Sequence, residues 1–287
     1  MRFTLQLAFA RYPDYHAIAR AAEEAGFSSL ALPDSFFYPE HTDSRYPYAD
    51  TEAIRAYIGA MPFIEPLVAM SWLTAATRTI CVYPSVLKVP TRQPLVLAKA
   101  LSSLAVLSGE RILLGAGLSP WREDFSFNGV DFAKRGALMD ECIAILRGAM
   151  SGEFFEYHSA NYDFGRMKMN PVPPRPVPII IGGHSGPALQ RAARLGDGWV
   201  SANTDFATLA SLIGELRRLR AAPGARSGAF QIHGFDMGAR SVDDFRRLGE
   251  LGVTDACVAP WGMDPALPLP QQLDALQRFG AQIIARV

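Results

Sequence analysis

Two rhythms alternate along the chain. Short unbroken apolar runs are separated by longer segments in which apolar residues return every three or four positions. The pattern surrounds Gly26 in "IARAAEEAGFSSLALP", Gly109 in "LAVLSGERILLGAG", Gly196 in "LQRAARLGDGWVS" and Gly252 in "FRRLGELGVTDACVAP". The wider spacing marks an amphipathic helix, and a glycine just past its end suits a left-handed C-terminal position. The apolar runs lack strict polar alternation, as strands buried on both faces of a parallel sheet do.

Eight strand–helix units can be laid out. Strands are predicted near Phe3–Phe9, Ser29–Leu32, Thr79–Val82, Ile112–Ala116, Pro178–Ile181, Gly198–Ser201, Ala229–Gly234 and Asp255–Ala259. Helices follow near Asp14–Ala25, Pro66–Ala76, Gln93–Ser108, Lys134–Gly148, Ser185–Leu195, Asp205–Ala222, Ser241–Leu251 and Pro270–Ala285. This order predicts an α/β chain forming one (β/α)₈ barrel over residues 1–287, with an open doubly wound sheet as the alternative.

Two stretches break the repeat: 34–65 and 151–177. Both are rich in aromatic, proline and charged residues. Long connections of this kind are usually lids or disordered segments, and the aromatic content argues against disorder. The first is expected over the barrel mouth. The plainer reading is a surface excursion covering a sheet edge.

Composition narrows the field. With 287 residues, 49% of them hydrophobic, the chain can bury a large core. A net charge of zero argues against nucleic acid or an anionic membrane as the main partner. No apolar run is long enough to span a bilayer, and no secretory signal is evident. Cys81, Cys142 and Cys257 are scattered, as expected of small core residues in a reducing, cytoplasmic setting.

In a barrel, functional groups gather where strands end. Those ends offer Asp34 and Ser35 in "LPDSFF", Ser85 in "VYPSVLKVP", Gly115, Gly117, Trp121 and Glu123 in "GAGLSPWRED", His233 and Asp236 in "IHGFD", and Trp261 in "APWG". No metal-ligand spacing, Gly-x-Ser-x-Gly elbow or Walker loop is present. In "PVPIIIGGHSGPALQRAARLGDGWV" a strand runs into Gly182-Gly183 and then into a helix start at Ser185. Bare backbone donors before a helix N-terminus suit a phosphate. A short turn with a serine cap and no ligand explains the same residues.

The chain resembles the bacterial luciferase-like group of flavin- and deazaflavin-dependent oxidoreductases. The resemblance is carried by "FIEPLVAMSWLTAATRTI", "VLKVPTRQPLVLAKALSSLAVLSGERILLGAGLSPWREDF", "RGALMDECIAILRGAMSGEFFEYH" and the glycine-pair stretch above. It looks most like the branch presumed to use coenzyme F420. The resemblance implies a luciferase-like barrel, commonly a homodimer, with the cofactor at its C-terminal mouth. It implies a phosphate turn at Gly182, Gly183, His184 and Ser185, and a non-proline cis peptide at Ser85-Val86 forming a ledge under the ring. Gly115, Ala116 and Gly117 match the strand end passing close to that ring. Asp34 matches the first member of an Asp-His pair that contacts deazaflavin and substrate, and Ser35 stands where the histidine would be.

Ser35 is a poor acid or base, so Glu123, His41 and His233 join Asp34 and Ser35 as catalytic candidates. Phe36, Phe37, Trp121, Trp199 and Trp261 are candidates for the pocket lining. The expected activity is F420-dependent hydride transfer on a small organic substrate. The alternatives are an FMN-dependent monooxygenase, served by a partner reductase, and a non-catalytic binding barrel.

Overall fold

The computed structural model describes residues 1–287. Its strands are β1 (Arg2–Gln6), β2 (Ser29–Leu32), β3 (Cys81–Pro84), β4 (Leu87–Lys88), β5 (Leu114–Gly117), β6 (Phe155–His158), β7 (Asp163–Met167), β8 (Ile179–Gly182), β9 (Gly198–Val200), β10 (Gln231–Gly234) and β11 (Asp255–Val258). Its helices are α1 (Tyr15–Glu24), α2 (Thr51–Ala60), α3 (Pro66–Ala76), α4 (Pro94–Leu107), α5 (Glu123–Ser126), α6 (Arg135–Ala149), α7 (Gly186–Leu195), α8 (Phe206–Arg220), α9 (Val242–Glu250) and α10 (Leu269–Gln282).

Nine parallel strands form one sheet in the order β3-β2-β1-β11-β10-β9-β8-β5-β4. Because β3 and β4 are two halves of one interrupted strand, the sheet has eight staves. A parallel bridge between Val82 and Ile112 joins the third stave to the fourth. The sheet is therefore a nearly closed barrel, and the open alternative is excluded.

Alternation along each strand builds two cores. Phe3, Leu5, Leu30, Val82, Leu114, Ile179, Ile181 and Trp199 face outward and join the helices in a continuous cluster of 50 buried residues. Ile180, Val200, Phe235 and Cys257 form a small cluster inside the barrel. Deeper inside, the lining turns polar with Tyr83, His233 and Asp255.

Several boundaries differ from expectation for local reasons. The first strand stops at Gln6, and Leu7–Phe9 coils into a 3₁₀ turn. Gly26, Gly109 and Gly252 adopt the left-handed conformation expected of helix ends, with φ of 93°, 66° and 93°. Gly196 does not, at φ −82°. A Cβ there would lie 2.8 Å from the carbonyl oxygens of Ala192 and Gly198, so close backbone approach accounts for that glycine. The first insertion contains α2, and the second contains the antiparallel hairpin β6–β7.

Candidate active site

A ledge is built into the third stave. β3 runs to Pro84, the Ser85–Val86 peptide is cis, and the strand resumes at Leu87. The Ser85 N–H donates to the Leu32 carbonyl at 2.7 Å. Neighbouring staves make room by lacking side chains. A Cβ on Gly115 would sit 1.9 Å from the Pro84 oxygen, and one on Gly117 would sit 2.2 Å from Val86 Cγ2. On Gly182 it would sit 2.7 Å from Val86 Cγ1. Gly182 therefore owes its missing side chain to Val86, a cause unrelated to phosphate approach. Ala116 faces the helices, within the outer core.

The turn after β8 leads straight into the start of α7. Gly183 is left-handed at φ 113°. The N–H groups of Gly183, His184 and Ser185 donate to no carbonyl. Ser185 caps α7, its hydroxyl accepting from the Ala188 N–H at 3.4 Å. His184 is held by the Ala202 N–H, which donates to its Nε2 at 2.9 Å, and burial lowers its pKa. That bond requires an unprotonated Nε2, consistent with a neutral ring.

The first insertion reaches this turn from across the mouth. The Tyr48 ring packs edge-on against His184 at 4.6 Å. A Cβ on Gly183 would meet the Tyr48 hydroxyl at 3.7 Å. Burial raises the Tyr48 pKa, and a hydrogen bond from the His184 N–H offsets part of that rise. Tyr46 stacks on Trp121 at 6.2 Å, Arg122 N–H donates to Ser44 Oγ at 3.0 Å, and the Tyr57 hydroxyl donates to the Ala8 carbonyl. The segment is thus a lid rooted on three stave ends.

Asp34 anchors the lid's first residues. Its fully buried carboxylate takes both terminal nitrogens of Arg92, at 3.0 and 3.1 Å, and the Lys88 N–H at 2.8 Å. Its contacts are internal, so it positions the strand beyond the ledge. Phe36 lies between two cations, 5.1 Å from Lys88 Nζ and 4.5 Å from the Arg92 guanidinium. Ser35 borders a void of about 10 Å³ shared with Lys88, Trp121 and Asp124.

The remaining candidates are dispersed. Glu123 opens α5 and accepts a long 3.4 Å bond from Ser44. The His41 side chain is 91% exposed beside Glu40. His233 is buried within the barrel, where its Nδ1 meets the Tyr83 hydroxyl at 2.9 Å and its Nε2 meets Gln231 at 3.0 Å. Burial pulls its pKa down to about 4. Trp199 faces outward, its indole N–H donating to the Gly183 carbonyl at 2.8 Å, while Trp261 donates to Phe9 at 3.0 Å. Lys88, Arg92, Asp124 and Tyr48 were not singled out from sequence, although "LKVPTR" places Lys88 two positions past Val86, on the same strand face.

A cleft of about 530 Å³ lies on the flank between α9 and α10 over Phe245 and Phe279. It shares no residue with ledge, turn or lid.

The class defined by these features is a (β/α)₈ barrel with a cis-peptide ledge, a glycine turn at a helix start and an aromatic segment across one mouth. The chain belongs to the luciferase-like monooxygenase family, which it matches over residues 4–236. It is 42% identical over 291 aligned positions to the uncharacterized protein Rv0940c of Mycobacterium tuberculosis, covering 100% of both chains. It is 26% identical to an F420-dependent glucose-6-phosphate dehydrogenase of Tsukamurella paurometabola, across 88% of this chain and 66% of that one. The coenzyme F420-dependent tetrahydromethanopterin reductase of Methanopyrus kandleri shares the fold with a TM-score of 0.75 at 14% identity, covering 99% of this chain and 98% of that one.

Proposed function

We propose that the chain binds coenzyme F420 at the barrel mouth and carries out hydride transfer to or from a small organic substrate. The observation that carries this reading is the turn between β8 and α7. A left-handed Gly183 and backbone N–H groups without carbonyl partners stand at a ten-residue helix's N-terminus, beside the Val86 ledge. Such a turn suits the phosphate of a flavin or deazaflavin side chain. The Tsukamurella relative, which is named as F420-dependent, favours F420 over FMN.

The chain's own residues then have distinct tasks. The Gly183–Ser185 turn would hold the phosphate. Val86 would support one face of the ring, and the Asp34–Arg92 pair fixes the strand that carries it. The lid excludes water, which keeps hydride transfer from competing side reactions. The bound carrier supplies the hydride chemistry.

The test is side-by-side titration of the purified protein with F420 and FMN, followed by turnover with and without oxygen. Tighter F420 binding with oxygen-independent turnover is expected. FMN binding with substrate-dependent oxygen consumption would instead make the protein a monooxygenase. Binding of neither would leave a barrel without this chemistry. The same reading includes a homodimer, because Val68 and Trp72 of α3 and Val96 and Leu107 of α4 expose apolar surface. Sedimentation at micromolar concentration checks it, with a monomer as the contrary result.

A further inference from the structure

One buried ion pair at the mouth has no part in holding the ledge or the phosphate turn. Leu87 is fully buried toward the helices, so alternation turns Lys88 to the inside of the mouth. Lys88 Nζ lies 2.7 Å from Asp124 Oδ2, with side chains only 10% and 3% exposed. The Ser119 hydroxyl donates to the same carboxylate oxygen. Both ends of the pair line the void beside Ser35, together with Trp121 and the lid residues Phe37 and Ile58. Asp124 is the one carboxylate paired with the ammonium, which leaves N–H donors for a substrate atom.

Other titratable groups are committed or distant. Arg92 occupies Asp34 and also reaches Glu65. Glu123 bonds Ser44, His41 points to solvent and His233 is buried deep in the barrel. The charges around Lys88 are Asp124 from α5, Arg92 and Asp34 beyond Phe36, and Arg55 from α2 on the far wall of the void.

We propose that Lys88, held by Asp124, is the acid–base residue of this site, and that the substrate is a small neutral carbonyl compound or the matching alcohol. The proposal rests on the hydride-transfer reading above. Asp124 offsets the ammonium charge, so the pair favours an uncharged polar group over a phosphate or carboxylate. In the reducing direction the carbonyl carbon gains a hydride from reduced deazaflavin. The carbonyl π electrons move to oxygen, and that oxygen takes a proton from Nζ. Alcohol, oxidised carrier and neutral amine result, and solvent returns the proton to the amine. Oxidation of the alcohol runs the same steps backwards.

The experiment compares wild type with Lys88→Met and Lys88→Arg. Carrier affinity is measured by titration, and folding by circular dichroism. Turnover is assayed with acetone and 2-propanol, then across a panel of short ketones and secondary alcohols. Loss of a positioned proton donor costs about 10²–10⁴-fold. Lys88→Met should therefore lose at least about a hundredfold in kcat while binding the carrier normally. Lys88→Arg keeps a cation for Asp124 but not a transferable proton, so it should stay impaired. Full turnover in Lys88→Arg would show that only the ion pair matters, and would overturn the proposal.

A second readout does not need turnover. The sequence contains four lysines, so protein made with ¹³Cε-labelled lysine gives an assignable spectrum. Adding the alcohol to the oxidised complex should shift the Lys88 signal alone. An unmoved Lys88 signal with an active substrate would overturn the proposal and leave the hydride-transfer reading standing. Failure of wild type to bind either carrier would overturn both.

Discussion

The segment 34–65 lies across the barrel mouth, whereas the segment 151–177 lies against the outer helices. Both are rich in aromatic and charged residues. They differ in where their polar ends go. The Tyr48 ring packs on His184, Tyr57 reaches the Ala8 carbonyl, and Ser44 reaches Arg122, all at stave ends. In the second segment Ser159 donates to Glu141 at 2.6 Å, and the Tyr162 hydroxyl lies 3.3 Å from Cys142 Sγ, both on α6. Lys99 of α4 donates to the Asn170 carbonyl at 2.6 Å. Phe155, Tyr157 and Phe164 of its hairpin pack on one another. An aromatic insertion becomes a lid when its hydroxyls and carboxylates complete groups at the mouth, and a cover when they complete helix surfaces.

The sharpest way to break that contrast is to cut one anchor in each segment. Asp34→Ala leaves Arg92 buried with only the half-exposed Glu65, and leaves the Lys88 N–H without its acceptor. Breaking a buried pair costs about 3–5 kcal/mol. Asp163→Ala removes an exposed partner of His158, where both side chains are more than half exposed, and should leave stability nearly unchanged. Urea unfolding of both variants checks this. Equal losses would mean that the lid is no more integral to the fold than the hairpin.

Two histidines extend the comparison to pH. His233 is neutral in the barrel, with its pKa lowered to about 4, while the unfolded chain keeps the ordinary value near 6.5. The unfolded state therefore binds more protons between these values. Stability is complete above pH 6.5 and falls as pH drops toward 4, by about 3 kcal/mol in all. His158 of the hairpin has the opposite sign. The nearby Asp163 carboxylate raises its pKa, so its contribution fades as pH rises. Being exposed, it should leave the stability curve flat. Unfolding midpoints from pH 7.5 to 4, for wild type and His233→Gln, decide the matter. A decline that persists unchanged in His233→Gln would remove His233 as its source.

Gly183→Val and Gly165→Val compare the turn beneath the lid with the hairpin. The lid meets Gly183, whose left-handed conformation a side chain rarely adopts. Two charge-assisted hydrogen bonds, each about 1.5–3 kcal/mol, are at stake if the turn holds a phosphate. Binding of F420 should weaken roughly a hundredfold or more. Gly165 in β7 has open space around it, so Gly165→Val should leave affinity and stability unchanged. Isothermal titration, with circular dichroism to verify folding, tests both. A folded Gly183→Val protein with wild-type affinity would sink the phosphate turn.

Much of this was legible before the fold was seen. Strand and helix periods gave the eight units, because burial on both faces leaves a strong apolar signature. Ser85–Val86 and Gly183 stood out through the resemblance and the turn chemistry. The pairings were hidden. Nothing local in "LPDSFF" says that Arg92, 58 positions on, will take the Asp34 carboxylate. Nor does "IIIGG" say that the first glycine makes room for Val86. His233 looked available because it ends a strand, yet its inward direction leads into the barrel's buried polar interior. Residue type and spacing report which groups exist near the mouth, and long-range packing decides which remain free.

The finest distinction between the two segments rests on one hydroxyl. The Tyr48 hydroxyl lies 3.7 Å from where a Cβ on Gly183 would sit, at the turn where it would compete with a phosphate oxygen for the N–H groups. Tyr48→Phe keeps the ring against His184 and removes only that competitor. A net hydrogen bond is worth about 0.5–1.5 kcal/mol, so F420 should bind roughly two- to tenfold tighter. Stability should fall by no more than about 1 kcal/mol, since the turn's N–H groups can reach water when the lid shifts. The matching change in the second segment, Tyr162→Phe, removes a hydroxyl of the same kind from the Cys142 thiol. It should alter affinity not at all, because that hydroxyl faces α6 rather than the mouth. Titrations of both variants against the same F420 stock measure the difference. Weaker binding in Tyr48→Phe would mean that the hydroxyl contacts the carrier itself, making the lid a ligand-holding element and not one that yields to the phosphate.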